Sequence, residues 1–228
     1  MKNLFMIIAT AAVLACPTIS FAQDCTVYFP MQEGTSFTLT NYDKKGKETS
    51  VVMHEVIENN STASGMELVV SSITTDKKGR ESLAVDYTVK CDKGEFFIDM
   101  RNFVPASSQQ SFSSMGLDAT VEGDYLVFPP SMSVGQRLPG GTLTISASIM
   151  NMTIRISDRK VEAEESITTP AGTYECVKIS YLANVKMGIN IASRITEWYS
   201  KDVGIVRSET YNKNGKMYGY SELTSFSK

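Results

Sequence analysis

One histidine, four cysteines and a short run of glutamates are the most reactive side chains in this 228-residue chain, and none sits in a pattern that catalysis requires. His54 lies between Val52 and Val56 in a stretch whose alternate positions, Val51, Met53 and Ile57, are also apolar. A general base needs a nucleophile within reach, and no Gly-x-Ser-x-Gly elbow exists for it to serve, so His54 reads as a half-buried sheet histidine. Glu162, Glu164 and Glu165 cluster, but Glu162 and Glu164 alternate with Val161 and Ala163 on what reads as an outward face. They lack the glycine-turned loop of oxygen ligands that calcium needs. CxxC pairs, His-rich tracts and a Gly-rich phosphate loop are also missing, so no catalytic residue, metal or cofactor is expected. One enzymatic alternative survives, because two carboxylates meeting across a fold leave no linear trace. Asp86, Asp99 and Glu197 could converge in a hydrolase acting on cell-wall or glycan material.

Binding chemistry has more to work with. The chain carries 12 methionines, and Met150, Met152 and Met187 with nearby Ile189 and Ile191 make a flexible apolar lining suited to ligands of variable shape. Trp198 reads either as a binding platform beside them or as a core anchor. Net charge is −3 with both signs interspersed, and the absence of a basic stripe argues against nucleic acid and anionic lipid surfaces as partners.

The first 22 residues read as an export signal: a lysine near the start, an apolar run from Leu4 to Ala15, and Ser20-Phe21-Ala22 as a small-x-small cleavage pattern. The expected address is periplasmic or secreted after cleavage at Ala22. A second reading takes Val13-Leu14-Ala15-Cys16 as a lipid-attachment site, but bulky Leu14 and Pro17 fit it poorly. No later run approaches the roughly 20 apolar residues of a membrane-spanning helix. Cleavage leaves Cys25, Cys91 and Cys176, an odd number for an oxidising compartment. Cys91 closes the apolar stripe Leu83, Val85, Tyr87, Val89, and Cys25 shares a face with Val27 and Phe29, whereas Cys176 shares one with Lys178 and Ser180. Alternation therefore favours a Cys25–Cys91 disulfide.

The elements that position these residues are hairpins. Tyr42 to Lys47, Thr75 to Arg80 and Tyr211 to Lys216 repeat one turn, with Asp or Asn opening it and Gly closing it. Asp92-Lys93-Gly94 and Thr169-Pro170-Ala171-Gly172-Thr173 mark two more. About ten strands joined by short turns predict an all-β, mainly antiparallel fold: a curved meander sheet or half-open barrel with at most one or two short helices. The one helical stretch, Ser107 to Leu117, carries Phe112 and Met115 but is rich in Ser and Gln. Residues 23–228 read as a single β-rich domain, with a soft boundary near 129–141 where prolines and glycines gather. Apolar phase slips between Ile149 and Met152, which predicts a bulge that bends a strand.

Two motifs carry a family likeness. Thr169-Pro170-Ala171-Gly172-Thr173-Tyr174-Glu175-Cys176-Val177-Lys178-Ile179, followed by Glu197-Trp198-Tyr199-Ser200-Lys201-Asp202-Val203-Gly204-Ile205-Val206-Arg207, resembles the exported TapB-like family, as does the strand-like opening Cys25-Thr26-Val27-Tyr28-Phe29-Pro30. The resemblance implies a curved antiparallel sheet in the Gram-negative envelope and brings no catalytic residue with it. The expected function is a non-catalytic exported module that holds an apolar or lipid-like ligand, or a segment of another envelope protein, on the concave side of that sheet. Oligomeric state is left open by the sequence.

Overall fold

The computed structural model describes residues 28–61, 65–82, 84–103, 120–147 and 150–228. The export signal, Cys16, Cys25 and the Ser107 to Leu117 stretch lie outside the described residues. Turn chemistry builds the hairpins as read. Asp43 Oδ1 accepts from the backbone N–H groups of Lys45 and Lys47 at 2.8 and 3.0 Å, and Gly46 takes φ 76° to close the loop. Asp76 and Asn212 repeat the arrangement. These turns follow β1 (Ser36–Asp43), β3 (Gly65–Asp76) and β12 (Gly204–Asn212), and the first and last lead into β2 (Glu48–Ser61) and β13 (Met217–Ser227). Between them run β4 (Val85–Asp92), β5 (Glu95–Asp99), a 3-10 turn (Met100–Phe103), β6 (Thr120–Gly123), β7 (Tyr125–Phe128), β8 (Gly141–Ala147), β9 (Met150–Thr169), β10 (Gly172–Met187) and β11 (Ile189–Ser200). No α-helix occurs among the described residues.

All thirteen strands form one antiparallel sheet, in the order β6, β8, β9, β10, β11, β12, β13, β1, β2, β3, β4, β5, β7. β6 and β7 occupy its two ends, yet Asp124 alone separates them in sequence. In a flat sheet those ends would lie almost 60 Å apart at about 4.8 Å per strand, whereas two Cα–Cα steps reach about 7.6 Å. The sheet therefore curls into a nearly closed barrel with Asp124 at its seam. The Asp124 carbonyl accepts from Met100 N–H at 3.0 Å, and its own N–H donates to Thr142 O at 2.9 Å. Asp124 Oδ2 accepts from Thr142 N–H at 2.8 Å. Gly141 permits this approach, since a Cβ there would stand 2.5 Å from Met100 Sδ.

A second clasp comes from β9. Arg159, buried at 2% exposure, donates from Nη1 to Val127 O at 3.1 Å and Pro139 O at 2.7 Å. Its guanidinium lies 4.6 Å from the centre of the Phe128 ring. One side chain thus ties β7 to β9, from opposite ends of the strand order.

Two expectations are corrected. The phase slip near Ile149 is a hairpin and not a bulge, because Ala147 pairs with Met150, placing Ile145 opposite Met152 and Leu143 opposite Ile154. A tight turn whose paired residue numbers sum to an odd value puts odd positions across from even ones, which mimics a slip within one strand. The Tyr28-Phe29-Pro30 part of the predicted opening strand is a buried bend. Its rings fill the core, with Phe29 edge-on to Phe37 at 5.6 Å and stacked on Phe96 at 5.8 Å. Pro30 has no N–H to give a ladder, and packing of the aromatics decides the conformation. The stretch 129–141 connects β7 to β8, both members of the same sheet.

Candidate ligand-binding cleft

The inward positions of β1 to β4 follow from register. Phe37 pairs with His54 and Leu39 with Val52; His54 then pairs with Ser72 and Val52 with Thr74; Ser72 pairs with Val85 and Val70 with Tyr87. All of these but Val70, which is fully buried, line a cleft of about 900 Å³ that also touches Val89, Ile98, Tyr199 and Ile205. Pairing of β4 with β5 covers only Val89 to Asp92. The half of β4 from Val85 to Thr88 runs past that ladder; Asn102 Nδ2 donates to Thr88 O at 3.3 Å, and Asp86, Tyr87 and Thr88 all belong to the cleft lining.

The lining carries a hydrogen-bonded aromatic pair. Tyr87 Oη and His54 Nδ1 are 3.2 Å apart. The imidazole stacks on Phe37 at 4.7 Å with 17° between planes, and Tyr87 meets it edge-on at 5.9 Å. Burial lowers the His54 pKa to about 4, so the ring is neutral at pH 7, and burial raises that of the Tyr87 phenol. Charges at the cleft wall are mostly spent on each other: Lys90 bridges Glu67 at 2.9 Å, and Arg101 Nε donates to Asp99 Oδ2 at 2.8 Å. Among the described residues Asp86 forms no such bridge.

The β9 to β11 wall is built differently. Tyr199 Oη donates to Glu197 Oε2 at 2.7 Å, Tyr181 hydrogen-bonds the same carboxylate, and Arg159 lies close enough to favour its charge. Burial nonetheless raises the Glu197 pKa above the usual carboxylate range. The tilted Phe128 and Tyr199 rings, 5.0 Å apart, complete the packing. A smaller cleft of about 500 Å³ near Ser131, Met132 and Lys201 reaches the buried free thiol of Cys176. Burial, with Glu175 and Glu165 nearby, pushes that thiol up to about 12, which leaves it a poor nucleophile.

The residues read from sequence as a ligand lining are partly gathered. Met187 pairs with Ile189, Val185 with Ile191, and Val185 with Ile154, which places Met152, Met187, Ile189 and Ile191 on one face near the β10–β11 hairpin. Met152 packs against the core, whereas Met187, Ile189 and Ile191 are 50%, 71% and 50% exposed. Met150 opens β9. Trp198 sits on the opposite face: it pairs with Lys178, which lies 4.9 Å over its ring, and its Nε1–H donates to Glu165 Oε1 at 2.6 Å. None of this set lines the 900 Å³ cleft, whose walls are β1 to β4. Among the carboxylates weighed for catalysis, Asp86 and Asp99 reach the cleft, but Asp99 is held by Arg101 and Glu197 by its tyrosines. Glu162 accepts from Lys160 and Ser180 at 2.9 and 2.6 Å. No group of three or more His, Cys, Asp or Glu side chains among the described residues could hold a metal ion.

The fold and cleft define a class: a nearly closed antiparallel barrel, hollow along one wall. The chain belongs to the DUF3108-like family, whose model matches residues 32–223. It is similar to a Bacteroides fragilis protein described as exported and as having a YmcC-like fold, with 29% identity and a TM-score of 0.75 over 90% of this chain and 100% of that one. It is also similar to a Parabacteroides distasonis protein described as a lipoprotein, with 30% identity and a TM-score of 0.76 over the same shares of the two chains. Neither the family model nor these structures carry the TapB-like name. No curated protein matches the chain. These neighbours agree with an envelope address, and no helix among the described residues is long and apolar enough to cross a membrane.

Proposed function

We propose that this is an exported envelope protein, released after cleavage at Ala22, that binds an apolar ligand in the barrel lumen without catalysing a reaction. The observation that carries the reading is the 900 Å³ cleft inside a sheet otherwise packed to its centre. Its size suits a ligand of a dozen or more heavy atoms, and Phe29, Phe37, Leu39, Val52, Val89 and Ile98 give its walls a substantial apolar share. The ladder of Met152, Met187, Ile189 and Ile191 extends the apolar face toward one end of β9 to β11, and Met150 belongs with it by position; Trp198 serves as an anchor on the outer face. A hydrolase reading gains nothing from the geometry, since Asp99 and Glu197 stand on separate strands with their own donors. Native mass spectrometry of protein purified from its host envelope tests the proposal. A non-covalent adduct released by organic solvent is expected; a bare chain that also fails to take up an apolar dye would end this reading.

The Cys25–Cys91 disulfide belongs to the same proposal. Cys91 is buried and pairs across the ladder with Phe96, on which Phe29 stacks. Cys176 is free. Non-reducing peptide mapping should recover the Cys25 and Cys91 peptides linked, and the bond would fix the start of the mature chain to β4.

A further inference from the structure

The lumen's polar groups narrow the ligand's chemistry. Both ring nitrogens of a neutral imidazole can hydrogen-bond; Tyr87 occupies Nδ1, and no protein group meets Nε2 among the described residues. Stacking on Phe37 fixes the ring plane, and His54 is part of the cleft lining. Ser72, Thr74 and Ser82 add further uncharged side chains to the lining. The charged lining residues do not invite an ion. Lys90 and Arg101 are each committed to a carboxylate, which leaves Asp86 as the unbridged charge, and its sign repels anions.

We infer that the ligand is an uncharged amphiphile, an alkyl chain bearing a hydroxyl, ester or amide head, with the head hydrogen-bonded at His54 and Tyr87 and the chain lying along Leu39, Val52, Val89 and Ile98. The inference rests on the lumen-binding reading above and adds the head group's chemistry and the residues that select it. A carboxylate head would have to shed its hydration without meeting a free cation, a cost that burial makes large. An ammonium head would face a neutral imidazole and a phenol and would find its counter-charge only at Asp86, on the other face of β4. A hydroxyl or ester head finds a donor and an acceptor already placed.

The mature chain, loaded with the uncharged dye N-phenyl-1-naphthylamine, is challenged with three ligands of equal chain length: monolauroylglycerol, laurate and dodecyltrimethylammonium, all below their micellar concentrations. Monolauroylglycerol should displace the dye at a concentration at least tenfold lower than either ion. Tyr87→Phe, which keeps the ring, and His54→Phe should each weaken monolauroylglycerol about fivefold more than they weaken laurate or the ammonium, the usual worth of one hydrogen bond. Displacement by laurate or by the ammonium at equal or lower concentration would overturn the inference and leave the lumen reading standing, as would a Tyr87→Phe variant with unchanged preference. Failure of the wild-type chain to bind the dye would remove the lumen reading and the inference together.

Discussion

The two walls of this barrel solve the same problem in opposite ways. On β9 to β11, the buried charged groups meet partners: Arg159 finds two carbonyls and a ring, and Glu197 finds two tyrosines. On β1 to β4, His54 and Tyr87 hydrogen-bond each other on the lining of a cleft, and among the described residues nothing else meets the second ring nitrogen. A saturated network holds a barrel shut, because each buried donor that loses its acceptor costs free energy. A network with a hydrogen-bonding position to spare costs little in water and gains on binding. On the proposed reading, the difference separates scaffold from candidate site.

The largest effect should come from cutting the saturated side. Arg159→Ala leaves Val127 and Pro139 carbonyls unpaired and Glu197 without its nearby cation, and should cost about 3–5 kcal/mol in urea unfolding. If it costs no more than a surface substitution, the clasp is not what closes the seam.

The open side should reveal itself through pH. The His54 pKa falls from 6.5 in the unfolded chain to about 4 in the fold, so the unfolded state binds more protons between those values. Stability should therefore fall as pH drops from about 6.5 to 4, on the order of 1–2 kcal/mol once lumen water is allowed for. His54→Phe should flatten that slope, which equilibrium unfolding at several pH values would measure.

Glu197 should behave with the opposite sign. Its folded pKa is raised, so the folded state holds the proton more tightly, and the stability that this contributes is lost as pH rises from the ordinary carboxylate value through the folded one. Glu197→Gln should gain on the wild type across that rise, by up to about 1 kcal/mol. A variant that loses ground as pH increases would show that the tyrosines and Arg159 outweigh burial.

The smallest effect belongs to the outer face. Lys178→Ala removes a 3.2 Å bridge to Glu165 and the cation above Trp198, both partly exposed, and should cost below about 1 kcal/mol in the same unfolding assay. A loss as large as that of Arg159 would mean that the outer face shares the structural burden.

Much of the architecture was legible in local chemistry. Asp43, Asp76 and Asn212 with their glycines specify hairpins through bonds that span four residues or fewer, and hairpins in series specify an antiparallel sheet. The site was harder to see. His54 read as a lone sheet histidine because its partner Tyr87 is 33 residues away, and period-two alternation looks alike on a packed wall and a hollow one. The methionine and isoleucine set drew notice by composition; those residues share a face near one hairpin while the cleft lies along other strands. Trp198 alternates with its neighbours and so turns to the outer face, where Glu165 and Lys178 hold it.

The sequence by itself determined the strand class, the turn positions and the want of any linear catalytic motif, since each depends on neighbours along the chain. Tertiary structure alone decided that β6 and β7 would meet across a thirteen-strand order, that Arg159 would clasp the seam, and that one wall would stay hollow. Those outcomes rest on contacts between distant strands, where packing and burial rather than local propensity select which side chains meet.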